Sequence, residues 1–329
     1  MTDFEIVEYG PDRRADYVRL LRDTRDGGGL SAEEFDWWFE GNPTRPRLMA
    51  VAELDGGVVG VASHTPYRML LGGRQRLATA SVHAGTDPAA RGKGIFRALE
   101  VRNEQMGRRA GIAASLAFAS KSTENLFLGP LGWSEIGRLR MWMCVLRPAA
   151  AMRRALGRPR VAGKRRRRDV AGVQPIDRFD ESTDRAYELA APAYGNHVIR
   201  DATFMNWRYA DSPWGYRAFG IGDRAFAVVR EKTQRGTPIA VVADLVAPPG
   251  AFRETRTLLK QAAASAGPDA VALFALPPRD SSHRRAFVAS GFVPSPSTLH
   301  FVAIALADDF ELPVDPGAWH FSLGDTDFF

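Results

Sequence analysis

Apolar positions along the chain switch between two periods. Phe96, Leu99, Val101, Met106 and Ala110 recur at helical spacing, with Arg97, Arg102, Glu104, Arg108 and Arg109 mostly between them. That pattern predicts an amphipathic helix over 96–109. Residues 112–118, Ile-Ala-Ala-Ser-Leu-Ala-Phe, form a short continuous apolar run, read as a buried strand. A short helix over 122–128, the triplet Leu131-Gly132-Trp133 and an aromatic-rich strand over 138–146 follow. Ahead of the first helix, a strand-like run passes through Val82 into a turn rich in glycine and basic residues.

The same order recurs in the second half. A helix over 252–266 precedes a strand over 270–275, a short helix over 282–289, Ser290-Gly291-Phe292 and a strand over 298–306. The strands are offset by 157 positions and the glycine-aromatic pairs by 159, which implies an internal duplication. Between the halves, residues 147–168 hold ten basic residues, no acid, and Gly157, Pro159 and Gly163. This reads as an exposed linker. The expected organisation is a domain over 1–147, an Arg-rich linker over 148–169 and a domain over 170–329.

The turn at Arg91-Gly92-Lys93-Gly94 carries the clearest chemistry. Successive backbone amides at a glycine turn on a helix N-terminus form a socket for phosphate oxygens. A Walker A loop is excluded, because Asp87 stands where its first glycine belongs and Gly94 follows Lys93. A dinucleotide fingerprint is excluded by Arg97 in place of its third glycine. The second half has Val246-Ala247-Pro248-Pro249-Gly250 at this point. Two prolines remove two amide donors there and no basic residue is present, so one donor site is expected, in the first half.

Loop, helix, strand, short helix with Asn125, Gly132-Trp133 and closing strand together resemble the GNAT (Gcn5-related N-acetyltransferase) acyltransferases, in tandem form over nearly the whole chain. Trp37-Trp38-Phe39 and Asn206-Trp207-Arg208-Tyr209 also resemble bacterial tandem GNAT chains. The resemblance implies an α/β fold of two GNAT-like domains, each a mixed, mostly antiparallel sheet flanked by helices. It implies acyl-CoA, acetyl or longer, as co-substrate and direct attack of a primary amine on the thioester. A small-molecule acceptor is favoured, an aminosugar or a natural product such as a glycopeptide or aminoglycoside. The pantetheine arm would pair with the strand at Val82, Ala84 and Gly85, and an amide of Ala84 or Gly85 would serve the oxyanion. Arg91, Gly92, Lys93, Gly94, Ile95 and Phe96 would hold the diphosphate, and Asn125 would also touch CoA.

The chain departs from the GNAT pattern at both proton-transfer positions. Residues 78–81, Ala-Thr-Ala-Ser, offer no carboxylate for a base, and Leu128 stands where a tyrosine acid is common. His83 in the strand and His197 in a loop of the second half are the candidate bases, since imidazole titrates near neutrality. A water-mediated base, or an amine already neutral, is the other route. Trp38, Asp325 and Asp327 are candidate acceptor contacts.

Charge and composition narrow the function classes. The 329 residues carry a net charge of +6, and subtracting the ten linker charges leaves −4. The basicity is one segment, so no nucleic-acid partner is expected. No apolar run reaches about 18 residues, so no membrane span is expected, and Met1–Glu5 does not open like a signal peptide. The single Cys144 excludes an internal disulfide, and no metal site is expected. A cytoplasmic location fits. Two rivals remain: an aminoacyl-tRNA-dependent transferase of the same architecture, and a non-catalytic acyl-CoA-binding module.

Overall fold

The computed structural model describes residues 4–24, 29–149, 152, 156, 170–234 and 236–327. The chain divides into two units, Met1–Arg138 with Leu299–Ala318, and Leu139–Thr298 with Trp319–Phe329. The boundary falls inside a strand at 138 rather than at 147, and a later stretch returns to the first unit. Apart from positions 148, 149, 152 and 156, the expected linker over 148–169 lies outside the described residues.

The first unit contains β1 (Glu5–Glu8), α1 (Arg14–Thr24), α2 (Ala32–Phe35), β2 (Leu48–Leu54), β3 (Gly57–Leu71), β4 (Arg74–Thr86), α3 (Ile95–Arg109), β5 (Ala114–Ala119) and α4 (Glu124–Leu128). It ends within β6 (Ser134–Val145). Two tight hairpins set its register. Asp55-Gly56 joins β2 to β3 with φ of 52° and 77°, and Gly72-Gly73 joins β3 to β4 with 58° and 76°. Paired positive φ values make type I′ turns, whose twist matches that of the strands they connect. The sheet runs β1-β2-β3-β4-β5, antiparallel except for the parallel β4–β5 pair bridged by α3.

Beyond β5 the sheet gains a strand from far downstream. β13 (Val293–Ala305) pairs His300–Ala305 antiparallel with Ala119–Ala114. Each residue in that register satisfies backbone groups that β5 would otherwise leave open, which is why this segment belongs to the first unit. Ile95, Leu99 and Met106 on α3 pack against Leu48, Ala50, Ala52 and Ala62 of β2 and β3. Burying a side chain such as Leu99 contributes about 1.5–3 kcal/mol.

The second unit repeats the element order with β7 (Gln174–Ile176), α5 (Glu181–Ala190), β8 (His197–Val198), α6 (Ala202–Met205), β9 (Arg217–Ile221), β10 (Ala225–Gln234), β11 (Thr237–Val246), α7 (Phe252–Ser265), β12 (Ala272–Ala275) and α8 (Ser281–Ala289). Its sheet is completed by β6, whose Trp142–Val145 stretch pairs with Ala275–Ala272. The duplication extends to a local irregularity. α2 continues into a π-helical turn at Asp36–Glu40, and α6 into one at Asn206–Ala210. Each helix begins on a side-chain cap, Ser31 on Glu34 N and Asp201 on Phe204 N. Trp37, Trp38 and Phe39 are all buried in this turn; widening to i→i+5 bonding lets three consecutive aromatics face inward.

Candidate functional site

The turn before α3 has the geometry its sequence demands. Gly92 and Gly94 adopt φ of 83° and 80°, values costly for residues with a Cβ. Asp87 caps a short 3-10 turn at Pro88–Ala90 by accepting from Ala89 N. Gly94 is the N-cap of α3 and supplies no side-chain acceptor. Ala98 N–H bonds back to Gly94 O at 3.1 Å, so the amides of Ile95, Phe96 and Arg97 have no acceptor within the helix. These amides and the positive end of the helix dipole suit an anion.

A cavity of about 610 Å³ opens on that helix end, and all of its lining lies in the first unit. Arg91, Gly92, Gly94, Ile95, Phe96 and Arg97 form one side. Ala84, Gly85 and Thr86 of β4 and Ser122, Thr123 and Leu126 around α4 form others. Among the expected donor residues, Lys93 is exposed in the loop and Asn125 is exposed on α4, but neither is among the lining residues; Val82 is buried. Thr24 crowds Gly85, where an added Cβ would stand 2.5 Å from the threonine Oγ1.

The strand behind the cavity is irregular in a way that makes a slot. β4 pairs with β5 only over Ala78–Ala80, and beyond Ala80 the two parallel strands separate. Opposite β3, the register jumps from Ser63↔Val82 to Val61↔Gly85, which places an extra residue at His83–Ala84. His83 takes φ 50° there, a left-handed value at a β-bulge. Ser63 Oγ donates to Val82 O at 2.8 Å, fixing the strand just before the bulge.

His83 does not stand open on the strand. It is 2% exposed, and its ring meets Trp38 edge-on at 4.7 Å and Phe39 at 5.8 Å. Trp38 is fully buried, with Nε1 donating to Thr65 Oγ1 at 2.8 Å. It forms interior wall rather than an open platform. His197 lies in the second unit, fully buried, with Nε2 2.9 Å from the Tyr187 hydroxyl and Nδ1 2.8 Å from Gly195 O. Burial pushes its pKa down to about 4. With Nδ1–H donating to the carbonyl, Nε2 accepts from the tyrosine, and both ring nitrogens are engaged.

The tail carboxylates divide. Asp325 faces inward and accepts from Arg200 at 2.7 Å and from Ser322 N at 2.8 Å. Arg200 also pairs with Asp244 through two 2.9 Å contacts, and Tyr209 donates to Asp244 at 3.0 Å. Asp327 is half-buried in the same unit. Asp244 stands at a second register jump, where Val228 pairs with Asp244 and Val229 with Val242. The second copy thus keeps the bulge and fills the surrounding space with ion pairs.

Sequence reasoning missed a polar cluster in the first unit: Thr79, Ser81, Ser115, His64 and Glu100. His64 Nε2 lies 2.8 Å from Glu100 Oε2, both side chains fully buried. Ser81 Oγ donates to Glu100 Oε1 at 3.1 Å. A signal existed on α3, where Glu100 and Asn103 sit beside Leu99 on the buried stretch instead of the solvent face.

The acetyltransferase (GNAT) domain profile matches residues 28–136. No curated protein matches the sequence. Solved structures share the fold at low identity. N-myristoyltransferase of Saccharomyces cerevisiae with bound myristoyl-CoA and inhibitors is 13% identical, with 92% of this chain and 80% of that chain covered and a TM-score of 0.64. A putative acetyltransferase from Pyrococcus horikoshii is 16% identical, with 97% of each chain covered and a TM-score of 0.60. Eis1 from Mycobacterium abscessus is 16% identical, with 92% and 74% covered and a TM-score of 0.54. The uncapped helix end and the slot beside β4 both lie within residues 28–136, which match the acetyltransferase (GNAT) domain, and the chain shares its fold with solved GNAT-type acyltransferases over 92% of its length.

Proposed function

We propose that the first unit binds acyl-CoA with its diphosphate on the amides of Gly92–Phe96, and that the acyl group passes to the primary amine of a small molecule. The observation that carries this reading is the uncapped N-terminus of α3, open to a 610 Å³ cavity that also reaches β4 beyond its last pair with β5. Arg91 and Arg97 line that cavity and supply positive charge; Lys93 in the same loop is exposed and adds to it. The unpaired edge of β4 offers Ala84 and Gly85 to the pantetheine arm, one of whose amides would hold the oxyanion. Asn125, beside Leu126, reaches CoA from α4.

His83 in this reading shapes the slot: its left-handed backbone makes the bulge and its ring locks onto Trp38. His197, with both nitrogens engaged, holds the second unit together, as does Asp325. The second unit serves acceptor recognition or support, with Asp327 a candidate contact for a cationic amine. The acceptor is an aminosugar or an amine-bearing natural product, and the donor is acetyl or a longer acyl group. No described helix is long and apolar enough to cross a membrane, in keeping with a cytoplasmic enzyme.

The test has two stages. Calorimetry with CoA reads the socket directly; absence of binding ends the proposal. Thiol release from acetyl- and octanoyl-CoA over a panel of aminosugars, aminoglycosides and simple amines then reads the transfer. Tight CoA binding with no thiol release under any amine identifies a binding module instead.

A further inference from the structure

A continuous hydrogen-bonded chain runs beneath the slot, wholly within the first unit. The Thr79 and Ser115 hydroxyls are 2.6 Å apart, and Ser115 Oγ is 3.1 Å from His64 Nδ1. His64 Nε2 meets Glu100 Oε2 at 2.8 Å, and Ser81 donates to Glu100 Oε1 at 3.1 Å. Thr79, Ser115, His64 and Glu100 are at most 1% exposed. Ser81 is half-buried and is the least buried member of the chain.

Position gives that difference its meaning. Ala80 is the last residue of β4 paired with β5, so Ser81 is the first beyond it, at the apex where the strands part. Its neighbour Val82 begins the stretch that carries the bulge. Burying a carboxylate and an imidazole costs several kcal/mol in desolvation, which an apolar filling would avoid. A fold that keeps both under a reaction slot, with one hydroxyl less buried than the rest, is built to hold or move a proton. The two places where the GNAT resemblance expects proton-transfer groups carry none: residues 78–81 hold no carboxylate and position 128 is leucine.

We infer that Ser81 is a catalytic proton carrier of the transfer, with Glu100 and His64 as its positioning residues. The inference rests on the donor reading, which places the thioester at this apex. As the amine nitrogen bonds to the carbonyl carbon and the C–S bond breaks, the electron pair goes to sulfur. The amine proton passes to Ser81 Oγ while the Ser81 proton moves to Glu100 Oε1. The thiolate then recovers one proton through Ser81, so the products are amide and free thiol. His64 holds Glu100 through Nε2–H and is held in that tautomer by Ser115 donating to Nδ1. The other titratable groups around the cluster are Glu104, one turn along α3 and bonded to Trp133 Nε1 at 2.8 Å, and Tyr17 of α1. Burial raises the pKa of both.

The test uses full-length protein with acetyl-CoA, and glucosamine, histamine and kanamycin as amines. Ser81→Ala removes the hydroxyl oxygen and little volume. Its kcat should fall roughly 100-fold, the range of one acid–base group, with the CoA Kd from calorimetry within about twofold of wild type. Ser81→Thr keeps the hydroxyl and should restore most of kcat. Wild-type kcat in Ser81→Ala, or a threonine variant as slow as alanine, overturns the relay and leaves the transferase reading standing. A wild-type protein that binds CoA yet releases no thiol with any of these amines overturns the transferase reading, and the relay with it.

Discussion

Gly94→Ala isolates the backbone geometry of the proposed phosphate socket. The residue caps α3 at φ 80°, ψ 11°, and an added Cβ would meet no atom within 4 Å. Packing therefore contributes nothing, and the cost is that of an L-residue in the left-handed region, about 1–2 kcal/mol. This cost can appear in two places. A loop that stays left-handed makes the folded protein less stable and leaves CoA affinity alone. A loop that relaxes in the free protein keeps stability, and the ligand must then restore the shape, raising Kd about 5–30-fold. Residues 91–94 are exposed while Ile95 is 2% exposed in the core, so relaxation is confined to the loop and the second outcome is expected. Gly56→Ala is the control: its φ is 77°, its surroundings are equally open, and it lies in the β2–β3 turn. Calorimetry with CoA and thermal melts read both quantities. A Gly94→Ala protein that binds and melts like wild type refutes the reasoning, as does a Gly56→Ala protein that loses as much affinity.

Other perturbations test other links. Arg91→Ala should weaken CoA binding roughly tenfold, the worth of a hydrogen bond to a charged group, with kcat at saturating donor retained; steady-state kinetics separates the two. Gly60→Ala would place a Cβ 2.4 Å from Ile95 Cγ2 and 3.2 Å from Leu99 Cδ1, so urea unfolding should show a loss of about 1–3 kcal/mol from overpacking. Burial depresses the His197 pKa from 6.5 to about 4; the unfolded chain then binds the proton more readily, and stability falls as pH drops through that window. The loss between pH 7 and 5 is roughly 2 kcal/mol, and His197→Gln should flatten that slope in urea melts at the two pH values. Arg200→Met leaves Asp244 and Asp325 buried without their cation and should cost about 3–5 kcal/mol, read by denaturant midpoint.

The glycine turn at the start of α3 was legible because its instructions are contiguous. Gly92, Gly94 and the basic residues between and before them dictate turn, amide direction and charge within a few positions, and the period of 96–109 supplies the helix behind them. Element types in both halves could be read for the same reason. What escaped depends on partners distant in sequence. Asp325 reads as a candidate acceptor contact because Arg200, its partner, is 125 positions away. Trp38 reads as a candidate acceptor contact because the π-helical turn that draws three neighbours inward leaves no period in the sequence. His64, Ser115 and Glu100 belong to three separate elements, and only the sheet register brings them together. The strand expected over 298–306 in the second domain runs Val293–Ala305 and pairs with β5; that pairing is set by edge satisfaction, which no local pattern encodes.

That last pairing constrains how the molecule can be made. On the ribosome, the helix end and glycine turn emerge early, yet the sheet beside them stays open at β5 until the segment around residue 305 leaves the exit tunnel. The growing chain must carry an unfinished edge through nearly two hundred further residues. Shortened forms that stop at the midpoint inherit that edge permanently, so the first unit cannot be separated from the rest by a simple cut.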